Sequence, residues 1–309
     1  MNDVHPDLSV NVGPLELKNP VMAASGTFGY GREFGSLFDP ALLGGIIVKG
    51  LSLEPRAGNP PPRIVETPCG MLNAIGLANI GVDRFLEEKL PWLEGLDTVV
   101  VVNIYGHCIE EYGEVARALR GVDGIDALEL NISCPNVEQG GMAFGTDPDA
   151  SARVTEKVLA ASDKPVIVKL SPNVTDIRKP ALAVEKAGAH AVSLINTLTG
   201  MVVDVETRRP VLANVKGGLS GPAIRPVAVR MVHEVVEVLS IPVIGVGGIM
   251  SGKDALEFLI TGARAVQVGT ANFVDPRASL TIFHDLVQFC RDKGIARLED
   301  LIGTLVTAP

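Results

Sequence analysis

Residues 243–270 read VIGVGGIMSGKDALEFLITGARAVQVGT, and this stretch contains one complete strand–helix–strand unit. The apolar runs Val243–Val246 and Ala265–Val268 have the length and β-branched content of buried strands. Ser251 is placed to cap the start of the intervening helix, and Gly262 is placed to end it. Because such crossovers join parallel strands, the stretch predicts a parallel sheet with helices packed against it.

The same alternation of strand and helix runs through the chain. Eight short apolar runs are predicted to be strands, namely Val21–Ser25, Gly45–Lys49, Thr98–Asn103, Ala127–Ser133, Val166–Leu170, Ala191–Asn196, Val243–Val246 and Ala265–Val268. The amphipathic stretches between them are predicted to be helices, namely Val82–Leu93, Ile109–Leu119, Pro148–Ala161, Ile177–Ala187, Ile224–Leu239, Gly252–Ile260 and Ala278–Lys293. Eight parallel strands favour closure into an α/β barrel of the (β/α)8 or TIM type over an open sheet.

Three segments exceed a minimal barrel. Residues 8–19 are predicted to form an N-terminal hairpin that turns at Gly13-Pro14, and residues 51–80 and 198–222 are Gly/Pro-rich insertions after the second and sixth strands. Long loops at that end of a barrel commonly carry function. Because no linker or change of composition interrupts the chain, we expect residues 1–309 to form a single domain.

The composition narrows the classes of function. Of the 309 residues, 47% are hydrophobic and 20% are charged, and the net charge is −9. An acidic chain has little long-range attraction for nucleic acid or for an anionic membrane. No apolar run reaches the roughly 18 residues of a membrane-spanning helix, and the N-terminus lacks the pattern of a signal peptide. These features predict a cytoplasmic protein without nucleic-acid or membrane partners.

The cysteines and histidines show no metal-binding pattern. Cys69, Cys108, Cys134 and Cys290 are scattered without a CxxC pair, which argues against an iron–sulfur cluster or a disulfide framework on this chain. None of the five histidines has metal-ligand spacing with another histidine or a carboxylate, so we expect no metal. No GxGxxG run joins a strand to a helix, which argues against a Rossmann-type nucleotide site.

Polar residues gather at the C-terminal ends of the predicted strands. In a (β/α)8 barrel these ends meet at one mouth, where active sites lie. The residues at these positions are Ser25, Lys49, Asn103, Asn131, Lys169, Asn196 and Thr197. Six strands that end in this way predict an active site at the mouth.

Glycines follow the last two strands and indicate a phosphate site. Gly247-Gly248 and Gly269-Thr270 allow backbone N–H groups to approach an anion, and the helix after Ser251 adds its positive end. The loops at this position of such barrels frequently bind phosphate. The alternative is that these are ordinary glycines of strand-to-helix turns.

Two lysines lie at the ends of predicted buried strands, where an ammonium group without a partner costs free energy. Neither Lys49 nor Lys169 has an Asp or Glu beside it on its own strand. We therefore favour an anionic cofactor or substrate as the partner of both lysines. The alternative is a structural ion pair.

Cys134 is the candidate general base. It follows the fourth strand and precedes Pro135, which restricts it to extended geometry. A free thiol has a pKa of about 8.5, and cations such as Lys49 and Lys169 near the mouth lower such a value. The alternative is a small buried hydrophobic residue, which is how we interpret the other three cysteines.

Several motifs resemble those of class 1 dihydroorotate dehydrogenases, over about residues 8 to 303. The most specific is NISCPN at 131–136, and the others are ASGT at 24–27, NAIGL at 73–77, KLSPN at 169–173 and GVGGI at 245–249. Three further stretches are similar to the class 1B catalytic subunit, namely GTFGYG at 26–31, NTLTGM at 196–201 and GGLSGPAI at 217–224.

The resemblance implies FMN-dependent oxidation of (S)-dihydroorotate to orotate, a step of de novo pyrimidine (UMP) biosynthesis. It implies that Cys134 is the catalytic base and that hydride passes to N5 of FMN. It also implies a partner subunit with FAD and a [2Fe–2S] cluster, which passes the electrons to NAD+. The resulting assembly would be a heterotetramer that contains a homodimer of this chain.

The resemblance also assigns ligand contacts. Contacts with FMN fall on Ser25, Lys49, Gly50, Asn103, Asn131, Lys169, Ile195, Gly221, Gly247, Gly248, Gly269 and Thr270. Contacts with the substrate fall on Lys49, Asn73, Ala74, Ile75, Gly76, Leu77, Asn131, Asn196 and Thr197.

Three other functions stay open at this point. One is a class 1A homodimer that passes electrons to fumarate, and another is a related flavin barrel that acts on pyrimidine bases. The third is a barrel that binds a phosphate ligand without catalysis, since fold alone does not prove chemistry. The placement of Cys134 argues against the third.

Overall fold

The computed structural model describes residues 6–133, 135–136 and 142–307. Eight parallel strands close into a barrel, in which each strand pairs with the next along the chain and the last pairs with the first. They are β1 (Val21–Ala23), β2 (Gly45–Leu51), β3 (Val99–Ile104), β4 (Ala127–Asn131), β5 (Val166–Lys169), β6 (Ala191–Leu194), β7 (Val243–Val246) and β8 (Ala265–Val268). The (β/α)8 barrel predicted from the sequence is confirmed.

Helices cover the outside of the barrel and carry the chain back between strands. They are α1 (Val82–Glu88), α2 (Leu90–Leu93), α3 (Ile109–Ala118), α4 (Pro148–Ala161), α5 (Arg178–Lys186), α6 (Arg225–Val236), α7 (Gly252–Thr261), α8 (Ala271–Val274) and α9 (Ala278–Lys293). Short 3-10 turns lie at Arg32–Phe34, Pro40–Leu42, Phe144–Thr146, Pro222–Ile224 and Leu298–Leu301. The predicted signals around α7 are confirmed: Ser251 Oγ accepts the N–H of Asp254 at 3.3 Å, and Gly262 ends the helix with φ 119°.

Two features of the helices differ from the sequence-based prediction. The predicted helix over 82–93 is two helices, α1 and α2, which meet at Lys89. Pro91 has no N–H to donate to the carbonyl four residues earlier, so an unbroken ladder of hydrogen bonds cannot pass this point. Helix α8 was not predicted, because its four residues are too few to show a helical period.

The barrel interior is closed at its N-terminal end by an apolar layer. This layer takes one side chain from each strand, namely Met22, Ile47, Val101, Ala127, Ile167, Ala191, Ile244 and Ala265. The N-terminal hairpin, Val10–Val12 paired with Leu15–Leu17, packs its buried side chains against the layer. Its turn residue Gly13 (φ 59°) lies so close to the carbonyl of His190, at the start of β6, that a Cβ would come within 2.9 Å of the oxygen.

The two long insertions form one antiparallel sheet. Its strands, in spatial order, are Leu198–Gly200, Gly217–Ser220, Gly70–Asn73 and Ile64–Thr67. Ser220 pairs with Met71, so the insertion after β6 is joined directly to the insertion after β2. A further hairpin, Val203–Asp204 with Arg209–Pro210, continues from the second insertion. The insertions are where the sequence predicted them, but their pairing was not foreseen.

Candidate active site

A polar layer lies directly above the apolar layer of the barrel. Successive side chains on one face of a strand are two residues apart, so each apolar interior residue is followed two positions later by the next inward residue. Those positions carry Ala24, Lys49, Asn103, Glu129, Lys169, Ser193, Val246 and Gln267. The period of the strands therefore builds a floor with hydrogen-bonding and charged groups at the C-terminal end of the barrel.

Glu129 lies at the centre of this floor and is fully buried. Its Oε1 accepts a hydrogen bond from Asn103 Nδ2 at 2.8 Å and lies 3.6 Å from Lys169 Nζ. Its Oε2 accepts from Ser193 Oγ at 2.8 Å and from Gln267 Nε2 at 2.6 Å. Four neighbours thus satisfy one carboxylate, as burial of a charge requires.

The ion pair corrects one expectation from the sequence. Lys169 has no acidic neighbour on its own strand, but Glu129 on the adjacent strand β4 supplies one. Glu129, Ser193 and Gln267 were not predicted from the sequence to belong to this floor. A signal was present, since Glu129 shares the inward phase of β4 with Ala127 and Asn131.

Above the floor is a cavity of about 640 Å³. The residues predicted from the sequence to contact a ligand all lie on its wall, except Cys134: Ser25, Lys49, Gly50, Asn73, Ala74, Ile75, Gly76, Leu77, Asn103, Asn131, Lys169, Ile195, Asn196, Thr197, Gly221, Gly247, Gly248, Gly269 and Thr270. Cys134 lies outside the described residues, and its neighbour Ser133 lines the cavity. The individual contacts of these residues with a ligand stay predictions.

One end of the cavity is a cradle of glycines. Gly247 and Gly248 follow β7 with φ 123° and 74°, and Gly221 has φ 93°. At Gly248 a Cβ would lie 2.7 Å from the Cβ of Arg225 and 2.9 Å from the carbonyl oxygen of Gly221, so a side chain does not fit. Thr270 Oγ1 donates to Ser220 Oγ at 2.8 Å and ties β8 to the insertion sheet beside the cradle. This end can receive an anion close to the backbone and near the start of α7.

Lys49 enters the cavity beside a break in the register of β2. The strand is irregular between Val48 and Leu51, and such a bulge redirects side chains. Gly50 leaves room for Asn103, because a Cβ on Gly50 would lie 2.6 Å from Asn103 Oδ1. Burial lowers the pKa of the Lys49 ammonium group below its usual value, and the nearby Arg63 guanidinium lowers it further.

Amides and hydroxyls gather at the ends of β4 and β6. Asn196 Nδ2 donates to Asn131 Oδ1 at 3.2 Å and to Ser133 Oγ at 2.9 Å. Asn131 Oδ1 also accepts the backbone N–H of Ser133, so two donors fix the orientation of this amide. Asn73 enters from the insertion sheet and donates to the carbonyl of Gly218 at 3.4 Å. Such groups can recognise a flat ring with alternating donors and acceptors.

The insertion sheet supplies wall residues that the sequence analysis did not select. Met71 and Ser220 line the cavity, and Phe273 of α8 lies at its rim. Arg56, which contacts His107, lines both the cavity and an adjoining cleft of about 560 Å³. No local signal in the sequence predicts this wall, because it depends on pairing between two distant insertions.

The described residues contain neither a cluster of metal-ligand side chains nor a helix that could span a membrane. Within residues 6–133, 135–136 and 142–307, no three His, Cys, Asp or Glu side chains gather as a metal site. In the same ranges, none of the helices has both the length and the apolar character needed to cross a membrane.

Comparison with known proteins gives one family. A family model for dihydroorotate dehydrogenase matches residues 7–289. The Geotalea daltonii protein named dihydroorotate dehydrogenase B (NAD(+)), catalytic subunit, is 59% identical over 300 residues, which cover 97% of this chain and 98% of that protein. Proteins of the same name from Citrifermentans bemidjiense (59%) and Trichlorobacter lovleyi (58%) also cover 97% of this chain, and 98% and 99% of their own lengths. The chain therefore belongs to the dihydroorotate dehydrogenase family.

Proposed function

We propose that this chain oxidises (S)-dihydroorotate to orotate in de novo pyrimidine biosynthesis, with FMN bound at the barrel mouth. The observation that carries the proposal is that one cavity joins a glycine cradle to a cluster of amides. The cradle suits a phosphate group, and the amides suit a pyrimidine ring. The names of the relatives, which cover nearly all of the chain, support the same reaction.

The residues present fit FMN. A Cβ at Gly248 would lie 2.7 Å from the Cβ of Arg225, and one at Gly247 would lie 3.1 Å from the Cβ of Ala228, so both positions favour glycine where the phosphate would approach the backbone. The cavity, at about 640 Å³, is within the usual range for a site of this kind. Lys169 and Asn103 of the polar floor line the cavity, where they would contact the flavin ring. When bound, FMN supplies the two-electron acceptor, with its N5 as the site of hydride transfer.

Cys134 is the proposed general base. As a thiolate it would take the proton from C5 of the substrate, and the electrons of the C5–H bond would form the C5=C6 double bond. Bound FMN would accept the hydride that C6 gives up. In the sequence, Cys134 directly follows Ser133, which lines the cavity, and directly precedes Pro135. A positioned base contributes about 10²- to 10⁴-fold to the rate.

The other side chains hold the substrate. We propose that Asn73, Asn131 and Asn196 hydrogen-bond the pyrimidine ring and that Lys49 attracts the anionic substrate. Fixed geometry of this kind can remove roughly 7–11 kcal/mol from the barrier, because the reacting groups no longer have to find each other. Lys169 is proposed to stabilise the negative charge that arises on the flavin ring during reduction.

The electrons are proposed to leave through a second subunit. The relatives are named catalytic subunits of an NAD(+)-dependent enzyme, which favours this route over transfer to fumarate. We propose that the second subunit carries FAD and a [2Fe–2S] cluster, and that two copies of each subunit form a heterotetramer. A single domain over residues 1–309 and a cytoplasmic location stay predictions.

Anaerobic titration of the purified protein with dihydroorotate tests the reaction. The expected result is a yellow protein whose flavin absorption bleaches in proportion to added dihydroorotate and does not respond to dihydrouracil. Absence of flavin, or equal bleaching by dihydrouracil, would contradict the proposal. Affinity capture of the tagged chain from native extract tests the partner, and an iron–sulfur flavoprotein is the expected companion.

A further inference from the structure

The carboxylate of Glu129 has no part in the mechanism above. It is fully buried, and it lies behind the cavity wall rather than on it. A buried charge is costly, and breaking a buried ion pair from one side commonly destabilises a protein more than the pair itself stabilises it. The position of Glu129 beneath the cavity therefore indicates a role in the function of that cavity.

Glu129 contacts two of the floor residues that line the cavity, Asn103 and Lys169. Its Oε1 binds Asn103 Nδ2 and pairs with Lys169 Nζ. Gln267 bridges the same ion pair from the other side, since its Nε2 donates to Glu129 at 2.6 Å and its Oε1 accepts from Lys169 at 3.2 Å. One carboxylate thus holds both Asn103 and Lys169 in place.

The net charge of the floor depends on Glu129. The charged side chains in the layer are Lys49, Glu129 and Lys169, and Arg63 acts on Lys49 from the insertion. Without Glu129 the floor would carry two cations and no anion. Lys169 is only 5% exposed, so little water screens its interaction with the carboxylate.

We propose that Glu129 is a positioning residue: it fixes Lys169 at the floor of the cavity and balances its charge, so that the pair sets the reduction potential of the bound flavin. The inference rests on the proposed function, because it assumes that FMN occupies the cavity. Reduction adds negative charge to the flavin, and a nearby carboxylate opposes this while the ammonium group favours it. The pair therefore holds the potential below the value that Lys169 alone would give.

Redox titration of the FMN-loaded protein tests this directly. Glu129→Gln keeps the size of the side chain and removes its charge. The midpoint potential is expected to rise by the equivalent of at least a tenfold change in the two-electron equilibrium, about 30 mV. All variants are titrated at the same pH, so that their midpoint potentials can be compared directly.

Two further variants control the experiment. Ser193→Ala removes one hydrogen bond from the same carboxylate and leaves every charge in place, so it should leave the potential unchanged. In a Lys169→Met background, Glu129→Gln should give a much smaller shift, because the carboxylate then has no ammonium group to hold in place or to balance.

The outcomes separate the two proposals. An unchanged or lowered potential in Glu129→Gln with a full load of FMN would overturn the role of Glu129 and leave the proposed function intact. An equal rise in the Lys169→Met background would also overturn it, since Glu129 would then act without Lys169.

If Glu129→Gln does not fold, Lys169→Met carries the test: its potential should fall, and an unchanged value overturns the inference. A wild-type flavin that dihydroorotate does not reduce contradicts the proposed function instead.

Discussion

Asn196 Nδ2 lies 3.2 Å from Asn131 Oδ1, and this hydrogen bond joins the ends of β6 and β4 across the intervening strand β5. Because Asn131 Oδ1 faces Asn196 and the N–H of Ser133, its amide nitrogen is turned the other way. The pair therefore presents oriented donors and acceptors at the cavity wall. This orientation is set by the protein before any ligand binds, which lowers the entropic cost of binding.

Asn196→Ala is expected to weaken substrate binding. The variant loses the proposed contact with the substrate and also releases Asn131, so KM should rise about tenfold, which corresponds to a loss of about 1–2 kcal/mol of binding free energy. FMN content should stay normal. Asn173→Ala is the matched control, because Asn173 binds Thr197 and Thr199 behind the wall without lining the cavity. Similar values of KM for both variants would argue against substrate contact by Asn196.

Cys134→Ala is expected to keep its yellow FMN and to lose about 10²- to 10⁴-fold in the rate of flavin reduction by dihydroorotate, since the general base is gone. Stopped-flow absorbance under anaerobic conditions gives this rate. Cys134→Ser should regain activity only at higher pH, because a hydroxyl group is a weaker acid than a thiol. Reduction of Cys134→Ala at the wild-type rate would remove Cys134 from the mechanism.

Lys49 is expected to set the alkaline limb of the pH profile. Burial and Arg63 lower its pKa from the usual 10.5, so the ammonium group loses its proton at a lower pH than an ordinary lysine does. Attraction for the substrate anion is present below that pKa and is lost as the pH rises through it. The profile of kcat/KM should therefore fall before pH 10.5, since it reports groups of the free enzyme. Lys49→Arg should move this limb upward, and an unmoved limb would assign it to another group.

Gly248→Ala is expected to reduce FMN affinity at least about tenfold, because its Cβ displaces Arg225 and Gly221 in the cradle and the residue must also hold φ 74°. Gly121→Ala provides the control, since Gly121 has φ 70° but nothing within 4 Å of the added Cβ. Both variants carry the same backbone strain. Equal FMN affinity, measured by flavin fluorescence, would mean that the cradle does not hold the phosphate.

Much of the fold could be predicted because its signals are local. The β-branched runs predicted all eight strands, although β1, β4 and β6 end two residues before the predicted Ser25, Ser133 and Asn196. These polar residues turn towards the cavity instead of continuing the ladder. The barrel rule then brought the strand ends to one mouth without further information.

The features that could not be predicted depend on contacts between residues that are distant in the sequence. Glu129 reaches Lys169 from the adjacent strand, and no spacing along the chain reveals that pair. The sheet that joins Met71 to Ser220 depends on register between two distant insertions. Cys134, the residue with the sharpest predicted role, lies outside the described residues, so its role stays a prediction.

A crystal structure of the chain with FMN and orotate is the most direct test of the central claim, that one barrel mouth holds a flavin and a pyrimidine in contact. We expect the flavin phosphate at Gly247 and Gly248, the orotate ring between the flavin and Cys134, and Cys134 Sγ facing C5. A phosphate bound away from these glycines, or a Cys134 side chain that points out of the mouth, would contradict it.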